Sequence, residues 1–150
     1  MVDAATADTE AVRRLRDTGR LAVNGLIEIN EFTYSAEATV EDLFERDFYL
    51  KLVNLAYAGG LRGRELSITD LGPGDPRVTR AVGAYFAEHD IAGGVFDRYR
   101  PAEVLLRQQA ELLPEVNSVT VTQFTRLFAC ANELLRPAAR NGTGRRRATR

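Results

Sequence analysis

The chain has 150 residues, 45% hydrophobic and 27% charged, a length and balance that fit one folded domain with a real core and exclude a wholly disordered chain. The formal net charge is −1 but unevenly placed: the last fifteen residues carry Arg136, Arg140, Arg145, Arg146, Arg147 and Arg150 with no acid, so the body before them is acidic. A single cysteine, Cys130, and a single histidine, His89, exclude an internal disulfide and a structural zinc cluster, and no metal or cofactor is expected.

These limits predict a mainly α fold: one compact domain of about five helices over residues 9–136, a flexible N-terminus over 1–8, and a disordered Arg-rich tail over 137–150. The opening MVDAATADTEAV lacks the basic start and apolar run of a secretory signal. The apolar stretch from Phe48 to Leu61 is interrupted by Lys51, Asn54 and two glycines, and falls short of the roughly 20 residues a membrane span needs. The expectation is a cytoplasmic protein with no membrane segment. Lys51 is the only lysine among twenty basic residues, which reads as the codon usage of a GC-rich bacterial genome.

In chain order, Glu10 to Arg20 reads as a helix through Val12 and Leu15. Residues 21–34 place Leu21, Val23, Leu26, Ile27, Ile29, Phe32 and Tyr34 around the whole helical wheel while partly alternating. Helix is the favoured reading. The alternative is a strand pairing with 65–69 or 118–122, which would make the fold α+β. Glu28 and Glu31 share one helical face in this apolar setting, the arrangement that raises a carboxyl pKa for general acid/base work, and Tyr34 extends that face. The same spacing also arises when two acids simply point to water.

The central helix is expected from Val40 to Ala58, opened by a capping box at Thr39 and Asp42 and closed by Gly59 and Gly60. Its second half is apolar nearly all round, through Phe48, Tyr49, Leu50, Leu52, Val53, Leu55 and Tyr57, and such a helix must be covered all round. The acids Glu37, Glu41, Asp42, Glu45 and Asp47 read as a solvated face, because no calcium-loop or di-iron spacing accompanies them. Residues 59–75, with Arg62 and Arg64, form the long loop best placed for binding; their glycines match no phosphate-binding pattern.

Asp75 and Pro76 predict the start of a helix that buries Val78, Ala81, Val82 and Tyr85 and ends near His89, before Gly93 and Gly94. The helix dipole and Glu88 and Asp90 favour an imidazolium at His89, a candidate proton donor. The segment before it is too short for a DNA-binding helix-turn-helix. A shorter helix runs from Pro101 or Ala102 to Leu113. The last starts from a capping box at Thr120 and Gln123, with Phe124, Leu127, Phe128, Ala131 and Leu135 as its buried stripe and Cys130 as a small packed residue.

The leading functional expectation is a helical assembly module that associates with itself or with another protein through the apolar helix 40–58. Its contact residues would be Tyr34, Phe48, Tyr49, Tyr57, Arg62 and Arg64. The first alternative is a small isomerase, cyclase or lyase of secondary metabolism, taking a small apolar ligand in an aromatic-lined pocket and using Glu28, Glu31 and His89 for proton transfer. The second is nucleic-acid binding, for which the arginine tail must supply the phosphate contacts.

Overall fold

The computed structural model describes residues 10–21, 25–33, 35–72 and 75–135. Seven α-helices and five 3-10 turns form among these residues, and no strand, so the fold is mainly α. The expected tail at 137–150, the N-terminal segment 1–8 and Tyr34 lie outside the described residues.

Glu10–Asp17 forms α1, where Glu10 pairs with Arg14 one turn later at 3.1 Å and Val12 is buried. The helix expected over 21–34 does not form among the described residues. Residues 25–27 carry no regular structure, Glu28 is extended with an isolated bridge, and the chain then tightens into a 3-10 turn over Ile29–Phe32. Ile27 and Ile29 enter the core with the two-residue period of extended chain, and Ile29 and Phe32 with the three-residue period of a 3-10 turn. Two periods in succession spread the apolar residues round an α-helical wheel, which is why neither regular pattern prevailed in the sequence.

The single helix expected over 40–58 is three pieces. Val40–Leu43 is a 3-10 turn, Arg46–Ala56 forms α2, and Ala58–Leu61 forms α3. The capping box at Thr39 does form: Asp42 Oδ2 accepts the Thr39 backbone N–H at 2.8 Å and its hydroxyl at 3.0 Å. The other oxygen, Oδ1, accepts the backbone N–H of Val78, the first residue of α4 (Val78–Glu88), at 2.9 Å. One carboxylate thus ties the turn to a helix 36 residues later. Phe44 leaves that turn extended, and the Glu45 backbone N–H that opens α2 donates to Thr120 Oγ1 at 2.9 Å. Gly59 and Gly60 lie inside α3 rather than forming a left-handed cap; that conformation falls on Arg62, with φ 53°.

The apolar second half of the central segment is covered by this chain itself. Tyr49, Leu50, Val53 and Tyr57 pack with Val78, Val82, Tyr85 and Phe86 of α4, and with Leu61, Leu66 and Ile91. Phe48 and Leu52 pack on another side with Val104, Leu105 and Leu112, from α5 (Tyr99–Arg107) and α6 (Gln109–Leu112). Each such side chain contributes about 1.5–3 kcal/mol of burial. On α2 the large apolar side chain left to solvent is Leu55, at 41% exposure.

α4 starts two residues later than Pro76 suggests, because Asp75 turns the chain instead of capping it: its Oδ1 accepts the Arg77 N–H at 2.9 Å, and its Oδ2 pairs with Arg80 at 3.1 Å. After His89 the chain reverses through left-handed Asp90, Ala92, Gly93 and Gly94. The Tyr57 hydroxyl then accepts the Asp97 N–H at 2.8 Å and donates to its carbonyl at 3.0 Å, while Asp97 Oδ1 accepts the Tyr99 N–H at 2.9 Å. That starts α5 two residues before Pro101. The expected helix to Leu113 breaks at Gln108 into α5 and α6, followed by a 3-10 turn over Leu113–Glu115.

Ser118–Leu135 forms α7. Its cap is Asn117, whose Oδ1 accepts the Thr120 N–H at 2.8 Å, and not Thr120 as the sequence suggested. Thr120 is buried and gives its hydroxyl oxygen to α2. α7 lies on the 25–43 segment through Leu127, Phe124, Cys130 and Ala131, against Ile27, Ile29, Phe32, Ala38, Val40 and Leu43.

Candidate interaction surface

Among the described residues the longest helix, α7, is far less covered than α2. Of the eighteen residues of α7, only Thr120 and Leu127 are fully buried, whereas five of the eleven in α2 are. The stripe expected to be buried divides in two. Leu127, with half-buried Phe124 and Ala131, faces the core. Positions 121, 128 and 135, seven apart, form a second stripe beside it, with Val121 exposed to 52%, Phe128 to 61% and Leu135 to 80%. Thr125 and Asn132 flank this stripe, and the charged residues of α7, Arg126 and Glu133, fall on the other side of its helical wheel. Seven-residue spacing superposes residues on nearly the same side of a 3.6-residue helix, so one apolar face in sequence became one covered and one bare edge.

Phe128 ends a row of aromatic rings that starts in the core. Phe48 stacks on Phe44 with centroids 5.8 Å apart, Phe44 meets Phe124 at 4.9 Å, and Phe124 stacks on Phe128 at 6.2 Å. The row backs Phe128 with packed rings. Sequence reasoning placed Phe128 in the core, and the 121–128–135 spacing was the signal that could have separated it.

The residues expected to act chemically are not brought together. Glu28 is half-buried at the entry to the 29–32 turn, and Glu31 is exposed, its backbone N–H donating to the Glu28 carbonyl at 3.2 Å. Arg126 approaches the Glu31 carbonyl, not its carboxylate, at 3.5 Å and lies 5.7 Å from the Phe32 ring centre. His89 ends α4, exposed, its ring stacked 4.0 Å from that of Tyr85 and its Nδ1 3.0 Å from the Tyr85 carbonyl oxygen.

Three expected contact residues, Phe48, Tyr49 and Tyr57, are buried in the core. The Tyr49 hydroxyl has no hydrogen-bond partner, and burial, reinforced by the Glu41 and Asp42 carboxylates, pushes its pKa well above the usual phenol value. Arg62 is exposed. Arg64 pairs with Asp70 at 2.8 Å and lies 5.9 Å from the Tyr85 ring centre. Hydrogen bonds from the Ser67 hydroxyl and backbone N–H, then from Arg64, hold the Asp70 carboxyl down to about 2. Burial alone would raise Asp75, but the Arg77 backbone and side chain outweigh it and lower it.

The 59–75 loop does border a cleft of about 540 Å³ between α2 and residues 63–67. Leu50, Leu55 and Leu66 line it with Asp47, Lys51, Arg64 and Glu65. Asn54 fixes its wall by accepting the Leu66 N–H at 2.8 Å and donating to the Leu66 carbonyl at 2.9 Å. Lys51 pairs with Glu115 and Arg64 with Asp70, so both cations are already engaged. Among the described residues no group of three or more His, Cys, Asp or Glu could hold a metal ion, and no helix is long and apolar enough to cross a membrane. No protein-family model, curated protein or solved structure matches the chain.

Proposed function

We propose that this chain is a helical protein-interaction module whose contact element is α7. The observation that carries the reading is the bare stripe of Val121, Phe128 and Leu135 on the longest helix of the fold. A helix draws most of its stability from packing an apolar face, and large apolar side chains left bare along one edge of it mark an association site. The contact surface expected on helix 40–58 moves accordingly. Phe48, Tyr49, Leu50, Leu52, Val53 and Tyr57 are spent on the core, and α7 has apolar surface to spare.

Proton-transfer chemistry draws no comparable support. Glu31 and His89 are exposed, and none of Glu28, Glu31 and His89 lines the 63–67 cleft. Nucleic-acid binding through the tail concerns residues outside those described, and nothing in the geometry of α7, with one arginine and one glutamate, favours a phosphate backbone.

A photo-crosslinking amino acid at position 128, in cells that make the chain natively, tests the reading. It predicts a covalent protein adduct from position 128 and none from position 129 or 133 on the polar side. Absence of any adduct from 128, with the chain folded, would sink it.

A further inference from the structure

We infer that the α7 stripe is covered by a second copy of this chain, with the two α7 helices antiparallel and Phe128 at the two-fold axis. The inference rests on reading α7 as the contact element and specifies its occupant.

The spacing is self-complementary. Phe128 lies midway between Val121 and Leu135, so turning one helix end for end sets Val121 against the second copy's Leu135 and Phe128 against its counterpart. A two-fold interface requires this reciprocity, residue i meeting j where j meets i. The stripe spans about 21 Å at 1.5 Å per residue, enough for three successive layers of contact. Phe124 and Ala131, which alternate with these positions, are already half-buried against the 25–43 segment, so the second copy meets Val121, Phe128 and Leu135.

Charge points the same way. The stripe and its flanks Thr125 and Asn132 are uncharged, so two identical faces meet without like charges opposed, whereas a charged partner would lose hydration there with nothing to pair it. Charge also sets the direction. Leu135 is followed in sequence by Arg136, Arg140, Arg145, Arg146, Arg147 and Arg150 with no acid among them. Parallel copies would start these two basic segments side by side, and antiparallel copies start them at opposite ends. Helix dipoles likewise favour the antiparallel arrangement. Phe128 supplies the anchor: a large exposed ring stacked on Phe124, which Phe44 backs in turn.

The test uses the full chain in three measurements. Sedimentation of the wild type should show a dimer. Phe128→Glu, and independently Val121→Lys, should weaken it by on the order of 100-fold, since each substitution enters the interface twice, with the circular dichroism of the folded monomer retained. In a Cys130→Ala background, Phe128→Cys should form a disulfide with itself on oxidation. Val121→Cys should do so only when mixed with Leu135→Cys, because a disulfide requires Cα atoms within about 7 Å. Self-linking of Val121→Cys alone would mean a parallel pair and would overturn the arrangement. A wild type that stays monomeric at millimolar concentration, or a dimer that survives both charge substitutions, would overturn the second copy as occupant. In the position-128 crosslinking experiment, an adduct of twice the chain mass supports both readings. One of any other mass keeps α7 as the contact element while excluding its pairing with itself, and a link back within the same chain overturns both.

Discussion

Asp42 spends one carboxylate on two distant parts of the chain. It receives the Thr39 N–H and hydroxyl through Oδ2 and the Val78 N–H through Oδ1, so removing it leaves two backbone donors and a hydroxyl without their acceptor. Each net hydrogen bond contributes about 0.5–1.5 kcal/mol, and bonds to a charged group more, so Asp42→Ala should cost about 2–4 kcal/mol in a urea unfolding experiment. Thr120→Val keeps the shape and removes only the acceptor of the Glu45 N–H; about 1–2 kcal/mol is expected. Asp70 makes a prediction about pH. Its folded pKa of about 2 lies below the ordinary aspartate value, so its contribution is complete above about pH 4 and disappears as pH falls toward 2. The stability of Asp70→Asn should therefore differ from that of the wild type at neutral pH and approach it at pH 2; a pH-independent difference would refute the role. At this scale the sequence revealed what is local. Thr39 and Asp42 are three residues apart and announce their capping box, whereas Val78 and Glu45 find acceptors 36 and 75 residues away, and no local pattern encodes such pairs.

Among the elements, α2 was readable as apolar on most sides, and its cover is α4 on one side and α5 with α6 on another. Leu52 lies at the second of these contacts and Leu55 faces solvent. Leu52→Ala should cost about 2–5 kcal/mol, and Leu55→Ala less than about 1 kcal/mol, both measured by thermal or urea unfolding. Equal costs would mean that something besides this chain covers α2. Boundaries were less readable than the elements themselves. The 40–58 segment breaks because the 40–43 turn is tied to α4 and the start of α2 to α7, and both ties are tertiary. The 21–34 segment defeats periodicity because, among its described residues, irregular chain that is extended at Glu28 is followed directly by a 3-10 turn. In the α7 stripe the 121–128–135 spacing separates Phe128 from Phe124 on the wheel, but which of the two edges is covered depends on the tertiary contact with the 25–43 segment.

For the whole molecule, the proposed pairing through α7 would make folding stability depend on concentration. The thermal midpoint of the wild type should rise with protein concentration, that of Phe128→Glu should not, and raising the salt should leave the difference intact because the stripe carries no charge. Differential scanning calorimetry across a hundredfold concentration range measures this directly. A midpoint independent of concentration in the wild type would count against the pairing.

The bond from the Glu45 N–H to Thr120 Oγ1 adds a way to watch α7 without labelling it. Lifting α7 away from the 25–43 segment would expose that amide at the head of α2 while leaving the α2–α4 packing in place, so its hydrogen exchange would quicken selectively. The protection of one amide in the middle of the chain thus registers the docking of a helix near its end, and exchange at Glu45 distinguishes a loosened α7 from global unfolding in a single spectrum.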